Sequence, residues 1–438
     1  MINKIVRPSN KIEGTLYPPA DKSISHRAAI LNSLAEGQAV IKNFSEGSDC
    51  VATIRCLQSM GVITESSSSK SNKAETDQIK IISPGIKHFE EPSDVLNAEN
   101  SGTTMRFLIG ALSVTPFLSV ITGDNSLRNR PMGRIVKPLT LMGAHIIGRN
   151  NSTKAPLAIK GGALVGIEYE MPVASAQLKS SIMIASLFAN SKTTIHQPTK
   201  SRDHTERMLS AMGASFSTND NTLEVTPCPK LVPIDINVPG DISAASFWIV
   251  AAIAHPHAKI RLNNVGINPS RSAIIDILKN MGGNISLENN RTEGGEPVAD
   301  ILVESSELTA TEVGGNLIPI IQDEIPILAL AACIAKGTTI IRNAEELRNK
   351  ESDRLNTTAV ELSNLGAKIT EHSDGLSIHG TGYLNGGTAN AHYDHRIAMT
   401  LGIAGLLSKN QVSVNGAEVV DISYPNFWKD LELIAYQS

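Results

Sequence analysis

The sequence predicts an α/β protein built from repeats and gathered into two domains of similar build. Three observations carry that reading. Six times a stretch of polar and charged residues runs straight into a small-residue apolar helix. Five times a helix-like segment closes on an apolar residue and a glycine, and a strand-like segment follows. The closing glycines recur at a long, nearly regular period, as repeats do.

The six openings are Asp21-Lys22-Ser23-Ile24-Ser25-His26-Arg27, Asn100-Ser101-Gly102-Thr103, Ser175-Ala176-Gln177, Gly240-Asp241-Ile242-Ser243, Gln322-Asp323-Glu324 and Tyr393-Asp394-His395-Arg396. Runs such as Ala28-Ala29-Ile30-Leu31 and Ile327-Leu328-Ala329-Leu330-Ala331-Ala332 follow them. A helix N-terminus carries unpaired N–H groups and the positive end of the macrodipole, so it suits an anion. One such start is an ordinary cap. Six at similar spacing suggest a repeated architecture whose helix ends converge on an anionic ligand.

The closing pairs are Met60-Gly61, Met142-Gly143, Met212-Gly213, Met281-Gly282 and Leu365-Gly366. Successive glycines lie about 82, 70, 69 and 84 residues apart by subtraction of their numbers. One further step of about 70 reaches Leu433-Ile434-Ala435, where a terminal copy has lost its glycine. A glycine in left-handed geometry just past a helix ends it at little cost. Ala144-His145-Ile146-Ile147 and Ala367-Lys368-Ile369-Thr370 are the strands after two of these stops. Each unit reads as strand, polar turn, helix, strand, helix, glycine, strand and strand. Ser66 to Asp77 and Asn289 to Pro297 read as loops or hairpin tips from their Ser and Asn content. Val238-Pro239-Gly240 is the best boundary and splits the repeats three and three. The strand-like Lys11–Tyr17 is expected to return to the second half and complete its sheet, so residues 1–20 plus 241–438 would form one domain and 21–240 the other. A ligand site is expected in the cleft between them.

Composition narrows the function. The chain has 438 residues, 41% hydrophobic and 19% charged, as in a soluble globular protein. Aromatic residues make up 4%, so the cores must be packed from Ile, Leu, Val, Ala and Met. A net charge of -4 argues against a general nucleic-acid binder but not against a local basic pocket. Cys50, Cys56, Cys228 and Cys333 form no metal pattern and no CxxC, and read as reduced thiols of a cytoplasmic protein. Met1–Arg7 has no apolar core of a secretory signal, and no apolar run reaches the length of a membrane span.

Cations gather at the openings. They are Lys22 and Arg27 in the first, Arg128, Arg130 and Arg134 after the second, Lys350 and Arg354 before the last, and Arg396 within it. Their neighbours are Ser, Thr, Asn, Gln and Gly at helix starts. Arginine offers a planar fork for carboxylate or phosphate, and lysine a compact point charge. Asp323 and Glu351 stand beside these cations and, near a desolvated substrate, could move protons rather than cap helices. No GxxxxGK[ST], HExxH or GxSxG pattern is present, so nucleotide-dependent phosphoryl transfer, zinc proteolysis and the hydrolase elbow have no support. His26, His204 and His395 show no paired metal spacing.

On Asp21-Lys22-Ser23-Ile24-Ser25-His26-Arg27, Asn100-Ser101-Gly102-Thr103-Thr104-Met105-Arg106, Arg130-Pro131-Met132-Gly133, Ser175-Ala176-Gln177, Lys350-Glu351-Ser352-Asp353-Arg354 and Asp394-His395-Arg396, the chain resembles the EPSP synthase (3-phosphoshikimate 1-carboxyvinyltransferase) family. These segments lie in the family's order over nearly the whole chain. The resemblance implies two inside-out α/β domains, each of three βαβαββ units, joined by a double crossover. It implies transfer of the enolpyruvyl group of phosphoenolpyruvate to the 5-hydroxyl of shikimate 3-phosphate, with release of phosphate, on the shikimate route to chorismate. It implies that Lys22, Gly102, Arg130, Gln177, Arg354 and Arg396 hold phosphoenolpyruvate. Lys22, Ser23, Arg27, Ser175, Ala176, Gln177, Ser201 (or Arg202 beside it), Asp323 and Lys350 would hold shikimate 3-phosphate. Asp323 is expected to handle the 5-hydroxyl proton and Glu351 the C3 proton, with Lys22 assisting. No metal or organic cofactor is implied, and the expected partners are the two small-molecule substrates alone, acting on a monomer with no nucleic acid or membrane. Binding of shikimate 3-phosphate is expected to close the cleft.

Some members carry Ser-Ser-Gln where this chain has Ser175-Ala176-Gln177, and some a lysine where Ile422 precedes Ser423-Tyr424-Pro425. Both departures resemble a second sequence class that includes glyphosate-tolerant members. That class can carry Ala at the position of Gly102, so the glycine here predicts that glyphosate competes. The related UDP-N-acetylglucosamine enolpyruvyl transferase is the nearest alternative, but its motif places a Cys before Arg-Pro and Gly123 to Arg130 contains none. A non-catalytic repeat scaffold and an RNA-end cyclase of similar repeats are the alternatives from other classes.

Overall fold

A computed structural model describes residues 2–67 and 78–436. Most of the serine-rich stretch read as a loop, 68–77, lies outside the described residues, while Ser66 and Ser67 end the strand Ile63–Ser67. The chain divides into two compact units. The first is Ala20–Val238 with Glu293–Glu296; the second is Met1–Pro19, Pro239–Thr292 and Pro297–Ser438.

All six polar openings start helices: Lys22–Leu34, Gly102–Leu112, Ala176–Ser186, Ile242–Ala254, Ile325–Ile334 and His395–Leu407. Five have a side-chain cap. Asp21, Ser101, Ser175, Asp241 and Asp394 each accept a backbone N–H two or three residues on, at 2.8 to 3.3 Å. Glu324 precedes the remaining helix and does not cap it; Pro326 in the first turn removes one N–H that would need a partner. The five closing glycines follow the outer helices Ser48–Gln58, Gly133–Leu141, His204–Ala211, Ala273–Asn280 and Arg354–Asn364, with φ of +85°, +110°, +93°, +102° and +99°. That left-handed turn is strained for any residue with a Cβ.

In the first unit each repeat folds its strands into one four-stranded sheet of the same order. Leu96–Asn97 runs parallel to Leu118–Thr122, which pairs antiparallel with Lys154–Lys160 and through it with His145–Gly148. Glu168–Glu170, Thr193–His196, Thr222–Val225 and Phe216–Asn219 repeat the pattern. So do Ile236–Asn237, Glu36–Lys42, Gln78–Pro84 and Ile63–Ser67, where the last strand of the unit supplies the parallel edge of the first repeat. In the other two repeats the parallel pair brackets a buried helix, Gly102–Leu112 or Ala176–Ser186, as a βαβ crossover requires.

The second unit uses the N-terminal residues the same way. Ile12–Leu16 pairs parallel with Ala258–Gly266 in a sheet completed by Glu296–Glu304 and Asn284–Glu293. Asn3–Val6 pairs antiparallel with Val412–Asn415, which is parallel to Gly387–Asn390. The middle repeat forms its own sheet from Glu312–Val313, Gly337–Ile341, Gly375–Gly380 and Lys368–His372. The polar stretch Asn289–Pro297 is a hairpin tip with longer strands than its composition suggested. Only Gly294 and Gly295 lie between the strands, with φ of +57° and +84°, and a two-residue turn of that geometry lets the ladder run to the end.

Strand residues alternate between buried and exposed, as in Lys154–Lys160, so each sheet buries one face and wets the other. Three small-residue helices fill the inside of each unit: Gly102–Leu112 packs on Lys22–Leu34 and Ala176–Ser186, and Ile242–Ala254, Ile325–Ile334 and His395–Leu407 pack on one another. Ala and Gly at the contacts allow close approach. Gly110 shows how close: a Cβ there would lie 2.5 Å from the Ser181 carbonyl oxygen.

Candidate active site

In the first unit the opening residues form two polar groups. Lys22 Nζ lies 2.6 Å from Asp49 Oδ2. Five residues along the same helix, Arg27 donates from Nε to Thr205 Oγ1 at 2.7 Å, from Nη1 to the Ser23 carbonyl at 2.9 Å and from Nη2 to Ser180 Oγ at 3.4 Å. Its guanidinium also sits over the Phe107 ring, 4.9 Å from the centroid, which orients the fork further. His26 between them is fully buried, and burial, with Lys22 and Arg27 nearby, pushes its pKa well below the ordinary value, so it stays neutral. Its Nδ1 meets Thr53 Oγ1 at 2.7 Å, and Thr53 meets Thr104 Oγ1 at 2.6 Å. This chain of hydroxyls ties the Lys22 helix to the Gly102 helix.

The second group surrounds Gly102. Arg106 Nη1 donates to Gln177 Oε1, whose Nε2 donates to Thr103 Oγ1 at 2.8 Å. Arg130 Nη2 donates to Asn100 Oδ1 at 2.8 Å. A Cβ placed on Gly102 would stand 2.9 Å from Arg106 Nη1 and 3.4 Å from Arg130 Nη1. Two guanidinium groups therefore come together over a residue without a side chain. Ser175 caps the helix that carries Ala176 and Gln177, and Ser201 is buried, its Oγ donating to Gln197 Oε1 at 2.9 Å.

In the second unit the remaining candidates gather on Arg354. This residue is 1% exposed. Its Nε donates to Asp394 Oδ2 at 2.8 Å, its Nη1 to Asp323 Oδ1 at 3.0 Å and its Nη2 to Glu351 Oε2 at 2.6 Å. Arg396 Nε approaches Asp323 Oδ1 to 3.5 Å. Burial works against the charge on Arg354, but Asp394, Glu351 and Asp323 outweigh it and hold its pKa above the ordinary range. Lys350 donates to Gln322 Oε1 at 2.6 Å. Burial lowers its pKa to about 8, with Arg354 adding to the fall and Asp323 and Glu351 opposing it. Asp394 does two jobs, capping the His395 helix through Oδ1 and anchoring Arg354 through Oδ2. Neither Asp323 nor Glu351 caps a helix; each turns its carboxylate to the guanidinium instead. Glu324, beside Asp323, points into a buried network. It accepts from Ser243 Oγ, which accepts from Arg271 Nη2 at 2.6 Å.

The first unit thus groups Lys22, Ser23 and Arg27, and separately Gly102, Arg130 and Gln177. The second groups Asp323, Glu351, Arg354 and Arg396, with Lys350 next to them. Arg106, Asp49 and Asp394 were not singled out as site residues from sequence. Arg106 and Asp394 stood in the quoted segments, and their i+4 and capping positions were readable. Asp49 lies outside every motif, and only folding brings it to Lys22. All four cysteines are free, and burial raises the thiol pKa of Cys50, Cys56 and Cys333 to about 12, which disfavours the reactive thiolate at these three. Among the described residues, no group of His, Cys, Asp and Glu is placed to hold a metal ion, and no single helix is long and apolar enough to cross a membrane.

Residues 6–431 match the family model of EPSP synthase (3-phosphoshikimate 1-carboxyvinyltransferase). A 3-phosphoshikimate 1-carboxyvinyltransferase of Desulforudis audaxviator is 50% identical over 422 residues, 96% of this chain and 97% of that one. Its counterpart from Herpetosiphon aurantiacus is 45% identical over 98% of both chains. A solved structure of EPSP synthase from Acinetobacter baumannii superposes with a TM-score of 0.87 at 40% identity, over 99% of this chain and 98% of that one.

Proposed function

The chain belongs to the EPSP synthase family, and from that premise we propose how its side chains divide the work. The reaction is transfer of the enolpyruvyl group of phosphoenolpyruvate to the 5-hydroxyl of shikimate 3-phosphate, giving 5-enolpyruvylshikimate 3-phosphate and phosphate. It is a step of the shikimate pathway to chorismate and the aromatic amino acids. Sugar-nucleotide transfer is not favoured.

Both substrates carry phosphate and carboxylate, so the pocket must supply fixed cations. Lys22, Arg130, Arg354 and Arg396 hold phosphoenolpyruvate, with Gly102 and Gln177 lining its place. The convergence of Arg106 and Arg130 on Gly102 supports this, because a small anion needs charge brought close without a side chain in the way. Ser23, Arg27, Ser175, Ala176, Gln177, Ser201, Asp323 and Lys350 hold shikimate 3-phosphate, together with Lys22.

Addition of the hydroxyl to C2 requires loss of its proton while C3 gains one, and elimination returns the C3 proton. Asp323 takes the hydroxyl proton and Glu351 serves C3, with Lys22 assisting. The observation that carries this division is the single buried guanidinium of Arg354 shared by both carboxylates. It holds two proton carriers at fixed positions, one to accept the hydroxyl proton and one to exchange a proton with C3. The test is phosphate release with each substrate omitted in turn, run beside Glu351→Gln. Release should need both substrates and fall by about 10²–10⁴ in the variant. Full activity in Glu351→Gln removes its proposed role.

The same reading makes the enzyme a cytoplasmic monomer that acts on small molecules alone and is open to glyphosate. Light scattering on the eluted protein checks the first. An initial rate at low phosphoenolpyruvate that is unmoved by millimolar glyphosate would refute the second.

A further inference from the structure

Lys179 is a fully buried cation that the roles assigned above leave unused. Lys179 lies two residues beyond Gln177 on the helix Ala176–Ser186 and is 1% exposed. Its Nζ donates to the Ser201 carbonyl at 3.2 Å and pairs with the Glu206 carboxylate. Lysine is almost never buried so fully unless paired. The attraction in a buried pair is largely offset by lost hydration, so its stronger effect is on geometry.

Ser201 precedes the helix His204–Ala211 and Glu206 lies in its first turn. Lys179 bridges this turn of chain at the helix entry. Within it, Thr205 Oγ1 accepts from Arg27 Nε at 2.7 Å and shares a 2.6 Å hydrogen bond with Ser180 Oγ. Ser180 is the neighbour of Lys179 on its own helix. The helix that Ser175 caps therefore grips the turn at Ser201, Thr205 and Glu206, and the same turn meets Arg27.

We propose that Lys179 is a positioning residue for shikimate 3-phosphate. Its ammonium clamps the Ser201 carbonyl to the Glu206 carboxylate and so sets where Ser201 stands relative to Arg27 and the helix start at Ser175. A tetrahedral phosphate needs donors fixed in three directions, and a turn free to open would lose one of them. Lys179 acts through Ser201 and does not touch the substrate. The inference rests on the assignment of Ser23, Arg27 and Ser201 to the shikimate 3-phosphate site.

The experiment is steady-state kinetics of the full chain, with each substrate varied in turn, on wild type, Lys179→Met, Lys179→Arg and Glu206→Gln. Lys179→Met should raise KM for shikimate 3-phosphate about tenfold or more while KM for phosphoenolpyruvate stays within about twofold. Lys179→Arg should recover most of the loss, because a guanidinium reaches both acceptors. Glu206→Gln should give a smaller rise in the same KM, and it decides the matter if Lys179→Met does not fold. An unchanged KM for shikimate 3-phosphate in a folded variant, or equal rises in both KM values, overturns the proposal. A lower melting temperature with both KM values unchanged also overturns it and assigns the pair to the core. Wild type that releases no phosphate from the two substrates refutes the underlying reading. Active wild type with insensitive variants refutes the clamp alone.

Discussion

The two units present their cations differently. In the first, Arg27 and Arg130 donate to hydroxyl, carbonyl and amide oxygens of Thr205, Ser180, Ser23 and Asn100. In the second, Arg354 is buried among three carboxylates. A neutral acceptor of this kind orients a guanidinium without cancelling its charge, whereas carboxylate partners balance the charge and have their own positions fixed by it. Lys22, paired with Asp49, and Lys179, paired with Glu206, are parts of the first unit that resemble the second. Under the division of work proposed above, the same repeat serves two purposes, set by the side chains next to the helix start.

Removing Arg354 breaks this comparison most severely. Arg354→Met leaves three carboxylates crowded in a buried setting and should cost about 3–5 kcal/mol of stability. Urea denaturation measures it, and a loss under about 1 kcal/mol would mean that the carboxylates do not depend on this cation. Arg130→Met is the counterpart. It should cost less stability than Arg354→Met, which loses contacts to three carboxylates, while raising KM for phosphoenolpyruvate at least about tenfold. A large stability loss there would erase the distinction between the units.

Gly102→Ala sharpens the reading of the first unit. The added Cβ would press on the far ends of Arg106 and Arg130, which are able to shift, so the fold should survive. KM for phosphoenolpyruvate should rise a few-fold, by about 1 kcal/mol of lost binding, and inhibition by glyphosate should weaken more. Competition assays on the variant check both.

Protonation supplies a smaller effect in each unit. Lys350 loses its charge as pH rises through about 8, so KM for shikimate 3-phosphate should climb above that pH. In Lys350→Arg the climb should vanish, because arginine stays charged. His26 works in the opposite direction. Its folded pKa lies below the unfolded value, so the unfolded chain binds the extra proton first. Its contribution is complete above pH about 6.5 and is lost as pH falls below it, by at most about 1.4 kcal/mol per pH unit. Urea midpoints at several pH values should show a shallower acid slope in His26→Gln.

Much of the scaffold was readable because it is built from local bonds. A cap joins residues two or three apart, as Asp21 joins Ile24 and Asp394 joins Arg396. A left-handed glycine ends a helix within one turn. All six helix starts and all five glycine stops were therefore visible in the chain, and the polar residues at the starts marked the candidate site. The long hairpin was less legible. Asn289–Glu293 lacks strand composition, and its ladder is held by the partner strand and by the turn at Gly294-Gly295.

From the sequence alone came the repeat, its helix starts and stops, and the family resemblance with the chemistry that follows from it. The tertiary structure decided which starts share a cluster and what each cation touches. Arg106 meets Gln177 across 71 residues, Arg354 meets Asp394 across 40, and Arg27 meets Thr205 across 178. No local pattern encodes such pairs. They form because each unit packs its small-residue helices side by side, and that packing brings distant helix starts to neighbouring positions.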